Sequence, residues 1–484
     1  MVLRFYSIGH FLGRFLVFLA AALTTPIVYG LSTASGPLAP LLTSLLICAL
    51  AGGVLVVLLP PPERALHQRE ALLLVAAIWL SASVFGGLPF YFSPEFPSFA
   101  DAFFEAASGF SASGATVLND VEILGEPMLF WRSLTHWFGG MGIVLLGVAV
   151  LPLVGHGGVS LYRTEFSGAT SEKLKPRITS TASALWKVYL GLSVASYLAL
   201  RATGLNNFDA LCHTFSVLGT GGFSSRTASV ASFQNPLAEY VITWFMFLGG
   251  ISMILHYRFW LGKGQLAVLR DVQLRAYASA LVVAGSVATV LLRSHNGYDW
   301  EPAIRAGFFQ VTSIMTTTGL VTDDFELWHP LGQMMLLGLM IVGGCTGSTS
   351  GGLKVARLLL LGKVVSREFK RMAERRGVFA VRLGSEVISE ETIQSLLNLG
   401  YIAAGVILSA SLLLTSMGVD VLTSLTAAIA AVFNVGPAFG RVGPLDSYGW
   451  MPSGAKWVLG FCMIAGRLEF YAALVLLTPS FWRK

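Results

Sequence analysis

Four short polar segments, each containing a glycine, carry the residues in this chain that are best able to do chemistry. They are residues 108–115, 216–223, 313–320 and 430–437, aligned on Gly114, Gly222, Gly319 and Gly436. In each copy a mostly apolar stretch runs into a polar, glycine-bearing tetrapeptide. The glycines are 108, 97 and 117 residues apart, which predicts one structural unit repeated four times. Four similar units favour a pseudo-fourfold assembly, with one tetrapeptide from each unit on a common axis.

The ligand atoms that these segments offer are neutral oxygens. Backbone carbonyls that point the same way from successive residues require φ angles that side chains disfavour, so glycine is needed. Further oxygens come from the hydroxyls of Ser111, Ser113, Thr116, Thr220, Thr317 and Thr318. Neutral oxygens suit a weakly hydrated monovalent cation, whereas divalent cations normally recruit carboxylates, and no segment contains one. The predicted ion filter comprises Ala112, Ser113, Gly114, Thr220, Gly221, Gly222, Thr317, Thr318, Gly319, Asn434, Val435 and Gly436.

A short helix is predicted before each filter segment. The four are residues 100–109, 208–218, 303–315 and 421–433, each too short to cross a bilayer. The C-terminus of such a helix carries about half a negative charge from the macrodipole. Four of these ends meeting at the bilayer midplane would attract a cation. The irregular backbone that follows is tolerated at that depth only where it lines a cavity.

Residues 343–352, GGCTGSTSGG, interrupt a long apolar segment with five glycines and four hydroxyl residues. Such a composition disfavours a regular helix. A phosphate-binding loop would continue with Gly-Lys-Ser/Thr, but Gly352 is followed by Leu353 and Lys354. A flexible intramembrane gate beneath the filter is favoured over a packing kink of small residues. The predicted gate residues are Gly343, Gly344, Thr346, Gly347, Ser348, Thr349, Ser350, Gly351, Gly352 and, from the last helix, Arg467.

Arg467 and Glu469 lie inside the final apolar segment, where charge is costly and normally faces a cavity. Arg467 is predicted to project into the pore below the filter and oppose cation passage. The alternative is a structural arginine, paired with loop carbonyls or with Glu469. Glu105, His213 and Gln310 stand nine residues before the first three filter glycines and are predicted to buttress the pore helices.

Composition places these features in a membrane. The chain has 484 residues, 54% hydrophobic and 12% charged, with a mean hydropathy of +0.70, against roughly 25% charged in soluble domains. The fold class predicted is an all-α polytopic membrane protein with four membrane–pore-loop–membrane units and two extra N-terminal helices. Its parts are 1–60 (extra hairpin), 61–182, 183–275, 276–385 (with the intramembrane loop) and 386–484. The flanking helices are expected at 11–31, 40–59, 71–92, 128–154, 183–200, 237–261, 277–292, 331–361, 393–417 and 456–477.

Charge sets the predicted orientation. Residues 354–382 hold nine Lys and Arg against two Glu, and the loops 163–187 and 258–275 are also basic, so these segments are placed in the cytoplasm. Residues 115–127 and 320–329 contain acidic residues and neither Lys nor Arg, and are placed outside. Ten spans with both termini in the cytoplasm satisfy this pattern. The four cysteines lie far apart and show no metal-type spacing.

Several motifs resemble the Trk/Ktr/HKT cation transporters. They are DAFFEAASGFSASGAT at 101–116, HTFSVLGTGGFS at 213–224, MTTTG at 315–319 and NVGP at 434–437. The segments KLKPRI at 173–178 and LWKVY at 185–189, with the extra helix pair, resemble the Trk-type membrane subunit. The similarity covers nearly the whole chain. One departure is Ala112-Ser113, where the family often has two threonines.

The resemblance implies a potassium pathway with K⁺ at Ser113, Gly114, Gly222, Thr318, Gly319 and Val435. It also implies a gating role for the glycine-rich loop and a barrier role for Arg467. The expected partners are a second copy in a homodimer, a cytosolic nucleotide-binding regulatory subunit of the RCK type, and membrane lipid. The expected location is the bacterial cytoplasmic (inner) membrane. All four filter glycines are present, whereas sodium-preferring relatives commonly have serine in the first, so an imperfect preference for K⁺ over Na⁺ is expected.

The predicted function is channel-like K⁺ uptake. No nucleophile–base motif, metal cluster or nucleotide motif is found, so neither enzymatic activity nor an organic cofactor is expected, and the charge pattern does not suggest a nucleic-acid partner. The alternative is an alternating-access transporter that couples K⁺ or Na⁺ to protons or another solute. Such proteins usually show inverted repeats, whereas these units run in one direction.

Overall fold

A computed structural model describes residues 3–61, 66–149, 178–262, 265–374, 377–384 and 386–483. The chain begins with a helical hairpin, α1 (Phe5–Thr33) and α2 (Ala39–Leu58). Exposed apolar side chains cover α2, including Val57 and Leu58 at 83% and 73% exposure. Such a surface is typical of a helix that contacts lipid. The end of the first inner helix and most of the basic loop expected at 163–187, with the KLKPR residues 173–177, lie outside the described residues.

The first unit consists of α3 (Gln68–Gly86), α4 (Leu88–Tyr91), α5 (Phe99–Ser111) and α6 (Glu126–Ala149). The short helix α5 starts where Ser98 accepts a hydrogen bond from the Asp101 N–H, and Asp101 in turn accepts from Ser98. This capping box fixes the start of α5.

The second unit consists of α7 (Ile178–Ala202), α8 (Asn207–Gly219), a 3₁₀ turn (Ser229–Phe233), α9 (Pro236–Gly249), α10 (Met253–Leu261) and α11 (Gln265–Leu269). The third consists of α12 (Val272–His295), α13 (Trp300–Met315), a 3₁₀ turn (Phe325–Leu327), α14 (Pro330–Val342) and α15 (Val355–Ala373). A two-stranded antiparallel hairpin follows, β1 (Arg382–Leu383) and β2 (Glu386–Val387), with Arg382 opposite Val387.

The fourth unit consists of α16 (Glu390–Ser416), α17 (Val421–Phe433), α18 (Ser453–Arg467), α19 (Tyr471–Leu474), a 3₁₀ turn (Val475–Leu477) and α20 (Pro479–Trp482). The four short helices expected from the sequence are therefore α5, α8, α13 and α17, called the pore helices below. Six helices are long and apolar enough to cross a membrane, and two bent helix pairs bring the number to eight among the described residues. The expected ten spans stay a prediction.

The inner helices depart from the sequence prediction. The expectation of one continuous helix over 237–261 is wrong, because α9 and α10 meet at 99° across Gly250–Ser252. One helix over 456–477 is also wrong, since α18 and α19 meet at 116°. At that break Glu469 and Phe470 adopt positive φ angles of 53° and 60°. In the third unit residues 343–354 separate α14 from α15, and this break was predicted from the glycine and hydroxyl residues of 343–352.

The units pack on one another in cyclic order. Each inner helix contacts the pore helix of the next unit: α6 packs on α8, α9 on α13, α14 on α17, and α18 returns to α5. The C-terminal halves of the pore helices are almost wholly buried as a result, whereas Trp300 and Val421 at the starts of α13 and α17 are exposed. The four filter segments are thus brought to one place at the centre of the molecule.

Candidate ion-conduction site

All four pore helices end in the same backbone motif. The residue before each filter glycine donates its N–H to a carbonyl five positions back, at 2.8 to 2.9 Å: Ser113 to Ser108, Gly221 to Ser216, Thr318 to Ser313 and Val435 to Ala430. The residue before that donates to a carbonyl three positions back, and together the two bonds make a Schellman motif. Its left-handed residues are Ala112, Thr220, Thr317 and Asn434, with φ of 51° to 56°. The glycines themselves have φ of 76° to 95°.

The filter glycines form a closed ring with the carbonyls beside them. A Cβ built on Gly114 would lie 2.2 Å from the Gly221 oxygen, and one on Gly222 would lie 2.2 Å from the Thr318 oxygen. Continuing round the ring, a Cβ on Gly319 would lie 2.2 Å from the Val435 oxygen, and one on Gly436 2.5 Å from the Ser113 oxygen. Each glycine therefore lies against the carbonyl that precedes the next unit's glycine. A side chain at any of the four would displace a carbonyl of the neighbouring segment.

One vestibule is lined by all four filter glycines. It lies on the side of the acidic loops and is also lined by Asp446, Arg132 and Arg226. Thr227 donates a hydrogen bond to Asp120 at this rim and so holds the pKa of that carboxyl below its usual value. Arg226 bridges Asp209 at 2.7 Å and Glu122 at 3.4 Å, which joins the first two units across the rim.

Side chains behind the filter hold its segments in place. Glu105 accepts from the Thr116 hydroxyl at 2.9 Å and from the Val117 N–H at 3.0 Å. In the second unit His213 Nε2 lies 3.0 Å from the Ser224 hydroxyl. In the third, the Thr322 N–H donates to Gln310 at 3.3 Å. These contacts match the buttress interpretation of all three residues.

Two buried cations in this region escaped the sequence analysis. Arg132 is 2% exposed and donates to Glu105 at 2.6 Å and to the Ser224 carbonyl at 3.0 Å. Lys456 pairs with Asp101 at 2.5 Å. The Arg132–Glu105 pair joins α6 to α5 within the first unit, and the Lys456–Asp101 pair joins the fourth unit to the first. Their signal was a lone charge within an apolar helix, which is costly unless paired.

The hydroxyls expected as ion ligands have different surroundings. Ser113 Oγ is buried and has no hydrogen-bond partner among the described residues. Thr116 donates to Glu105, and Thr220 Oγ1 donates to the Gly219 carbonyl at 2.8 Å. Thr318 shares a 2.7 Å hydrogen bond with Thr316. The ring of backbone oxygens, rather than these hydroxyls, is the feature that all four units share.

The predicted gate residues, 343–352, form a compact loop directly below the filter. The Gly351 N–H donates to the Thr317 hydroxyl at 2.6 Å, and the Gly352 N–H donates to the Phe433 carbonyl at 3.1 Å. Thr317 is the left-handed residue of the third filter segment, and Phe433 is the last residue of α17. The loop is thus attached to the ends of two pore helices.

The loop is also attached to the break in the second inner helix. The Cys345 N–H donates to the Gly250 carbonyl at 2.8 Å, and the Met253 N–H donates to the Gly347 carbonyl at 3.0 Å. The Thr349 hydroxyl donates to the Gly249 carbonyl at 3.2 Å. Inside the loop, Ser350 Oγ accepts from the Gly344 N–H at 3.0 Å and lies 2.7 Å from Ser348 Oγ. Thr346 Oγ1 is buried with no partner among the described residues.

Arg467 connects the loop to the first inner helix. It is 2% exposed and donates to the Thr349 carbonyl at 2.9 Å and to the Gly139 carbonyl at 3.1 Å. Its Nε has no partner among the described residues. Glu469 pairs with Arg357 at 2.7 Å. The sequence analysis considered loop carbonyls and Glu469 as structural partners of Arg467, and the observed contact is with the loop carbonyl of Thr349.

A second buried cation lies close by. Lys354 is 7% exposed and its ammonium donates to the carbonyl and the hydroxyl of Ser350. Among the described residues, Arg467 and Lys354 are therefore two buried basic side chains below the filter that both contact the loop. In the described part of the chain, no group of three His, Cys, Asp or Glu residues could hold a metal ion. The four cysteines are buried and form no disulfide bonds with one another.

Comparison with known proteins gives concordant matches along the chain. The family model TrkH, described as a cation transport protein, matches residues 41–484. The Trk system potassium uptake protein TrkH of Salmonella typhimurium is 35% identical over 486 residues and covers 100% of both chains. The protein of the same name from Halomonas elongata is 36% identical over 480 residues, 98% of each.

A solved structure agrees with these matches. The crystal structure of the potassium transporter TrkH from Vibrio parahaemolyticus superposes with a TM-score of 0.92 at 32% identity, over 99% of this chain and 100% of that one. The relatives carry the names of transport proteins and not of enzymes. With its helical architecture, its apolar spans and these full-length matches, this chain belongs to the TrkH family of cation transport proteins.

Proposed function

We propose that this chain carries K⁺ into the cell through a central, channel-like pore. The observation that supports it most is the closed ring of four glycines and four carbonyl oxygens at the ends of the pore helices. Neutral carbonyl oxygens can replace the hydration shell of a monovalent cation. The four helix C-termini add negative potential at the same place. The relatives named as potassium uptake proteins support K⁺ as the transported ion.

The ion is held at Ser113, Gly114, Gly222, Thr318, Gly319 and Val435. This set includes members of all four segments, and three of its residues supply carbonyls of the ring. The four units form pseudo-fourfold repeats with the boundaries given by the sequence. The cyclic packing of each inner helix on the next pore helix supports that assignment.

Residues 343–352 form the gate, with Arg467 as its latch. The loop lies between the filter and the cytoplasmic helices, and Arg467 ties it to the first inner helix across the pathway. A buried guanidinium opposes a cation at this level. Conduction then requires the loop to leave the pathway and Arg467 to release at least one of its two carbonyls.

The protein lies in the bacterial inner membrane with both termini in the cytoplasm, as the basic segment 354–382 supports. It works as a homodimer with a cytosolic RCK-type nucleotide-binding subunit and with membrane lipid around its apolar helices. The basic residues of α15, which leads from the gate loop, support a cytosolic partner that acts on the gate.

The proposal is tested by ⁸⁶Rb⁺ uptake into proteoliposomes, with K⁺ and Na⁺ as competitors. Wild-type uptake should be blocked by K⁺ far better than by Na⁺, and Gly114→Ser should lose this difference, because a Cβ at Gly114 displaces the Gly221 carbonyl. Gly204→Ser is the matched control. Gly204 also has a positive φ, of 95°, but open space around it.

Two results would contradict the proposal. Equal competition by K⁺ and Na⁺ in the wild type would show that the protein does not select K⁺ over Na⁺. Uptake that requires a proton gradient and ignores Gly114→Ser would favour the alternating-access transporter.

A further inference from the structure

The ring of four units closes where the chain offers no connection. Units one to two, two to three and three to four are joined by the chain, whereas units four and one meet only by non-covalent contact. Besides the packing of α18 on α5, the loop of residues 437–452, between the fourth filter glycine and α18, contributes to that contact. We call this loop the clasp.

One residue of the clasp touches both filter segments at this junction. The Tyr448 hydroxyl donates to the carbonyl of Gly436, the fourth filter glycine, at 2.9 Å. Its backbone N–H donates to the carbonyl of Thr116, two residues after the first filter glycine, at 2.8 Å. The side chain is 3% exposed, and its ring lies 5.3 Å from that of Phe104 on α5.

The rest of the clasp holds Tyr448 in place. The Ser447 hydroxyl donates to Asn119 at 2.5 Å. Lys456 donates to the Gly449 carbonyl at 2.8 Å while it pairs with Asp101. A Cβ on Gly449 would lie 2.3 Å from the Val117 oxygen, so the two backbones are in direct contact there. The hydroxyl of Tyr448 is therefore carried on a backbone fixed to the first unit.

The other units hold their filter segments differently. Glu105 in the first unit and Gln310 in the third each lie on the pore helix of their own unit. Each accepts a hydrogen bond from the backbone N–H three residues after the filter glycine of that unit. His136 accepts from the Phe223 N–H at 3.0 Å, one residue after Gly222. These contacts leave the glycine carbonyls untouched. At Gly436 a donor acts on the glycine carbonyl itself.

We propose that Tyr448 is a positioning residue for ion selectivity, and this proposal rests on the function proposed above. Discrimination against Na⁺ requires that the oxygens resist moving inward around a smaller ion, or that they present a limited field to it. A hydroxyl that donates to the Gly436 carbonyl does both, because it fixes the oxygen and takes up part of its negative charge. Tyr448 also keeps the fourth and first segments at a constant spacing.

The test is Tyr448→Phe, which removes only the hydroxyl, assayed by competition of Na⁺ and K⁺ with ⁸⁶Rb⁺ uptake. The ratio of K⁺ to Na⁺ preference should fall by about two- to tenfold, the factor that the loss of one hydrogen bond produces. Uptake in Na⁺-free medium should persist. Tyr298→Phe is the matched control, because its hydroxyl bonds to Asp323 at 2.9 Å in the loop after the third filter segment.

The outcomes separate this inference from the function on which it rests. A wild type without K⁺ preference would contradict the proposed function. A selective wild type together with an unchanged K⁺/Na⁺ ratio in Tyr448→Phe would overturn only the role of Tyr448. An equal loss of K⁺ and Na⁺ flux with a lower Tm would also overturn it, by showing a purely structural residue. Phe104→Leu loosens the ring and keeps the hydroxyl, so it should shift the ratio the same way by less. If Tyr448→Phe does not fold, an unchanged ratio in Phe104→Leu overturns the role.

Discussion

The four filter segments share one backbone conformation, whereas the helices that follow them differ from unit to unit. Each segment has a left-handed residue with φ of 51° to 56°, then a glycine with φ of 76° to 95°. Below them, α6 is described without a break to Ala149, the second inner helix bends by 99°, the third is interrupted by residues 343–354, and the fourth bends by 116°.

Under the proposed function, the difference separates two tasks. A ring of equivalent ligands around one axis needs four similar segments, and any exception weakens the match to the ion. An element that blocks the axis must come from one unit, since four equivalent loops would collide there. In the proposed mechanism the third unit supplies that loop. Gly250 of the second unit and Arg467 of the fourth contact the loop, and Arg467 also reaches Gly139 of the first unit.

The largest effect is expected from removing the asymmetric element. Deletion of residues 346–350 should raise basal ⁸⁶Rb⁺ flux by about tenfold or more, because a tenfold change needs only about 1.4 kcal/mol of barrier. The filter above is left intact, so the K⁺/Na⁺ preference should be retained. Flux of a folded deletion variant at the wild-type level would show that the loop is no gate.

A smaller effect is expected at Arg467, and here two variants separate charge from contact. Arg467→Ala removes both and should increase flux several-fold. Arg467→Lys keeps the charge but lacks the fork that reaches two carbonyls. If the charge is the barrier, Arg467→Lys should conduct like the wild type; if the latch to Thr349 and Gly139 matters more, it should conduct like Arg467→Ala.

These variants also test the structural alternative. Flux below the wild-type level in both, together with a lower Tm, would make Arg467 a structural residue and contradict its place in the gate. Thermal unfolding in detergent, measured beside the flux, supplies that comparison.

The smallest effect is expected at Thr317, where the loop of residues 343–352 contacts the third filter segment. Thr317→Val removes the hydroxyl that accepts the Gly351 N–H and should increase basal flux by about two- to fivefold, since a neutral hydrogen bond contributes about 1 kcal/mol. Thr317→Ser keeps the acceptor and should restore wild-type flux. Equal flux in all three proteins would mean that the loop is held without help from the filter segment.

The positions of the four pore helices could be predicted from the sequence with good accuracy. The observed pore helices differ from the expected ones by at most three residues at either end. Their ends are marked by local chemistry: Ser98, Asn206 and Asp420 cap the starts, and a glycine follows each end. The roles of the individual filter and gate residues stay predictions.

The bend in the second inner helix was harder to predict because the contacts that stabilise it are not local in the sequence. Gly249 and Gly250 sit in an apolar run without proline, so the pattern indicates a continuous helix although the chain bends there. The bend is stabilised by contacts with residues 345–349, about a hundred positions away. Arg132 gave a usable signal, a lone charge within an apolar helix, but its partner Glu105 could be identified only from the fold.

The ion pair between Lys456 and Asp101 has a consequence for biogenesis. The two residues are 355 positions apart, with Asp101 in α5 of the first unit and Lys456 in α18 of the fourth. During synthesis the first pore helix therefore has to wait for almost the whole chain before its buried carboxylate meets its cation. An unpaired buried charge is strongly destabilising, and contacts of such long range form slowly. Assembly of the first unit in the bilayer is thus completed only when α18, which carries Lys456, has been inserted.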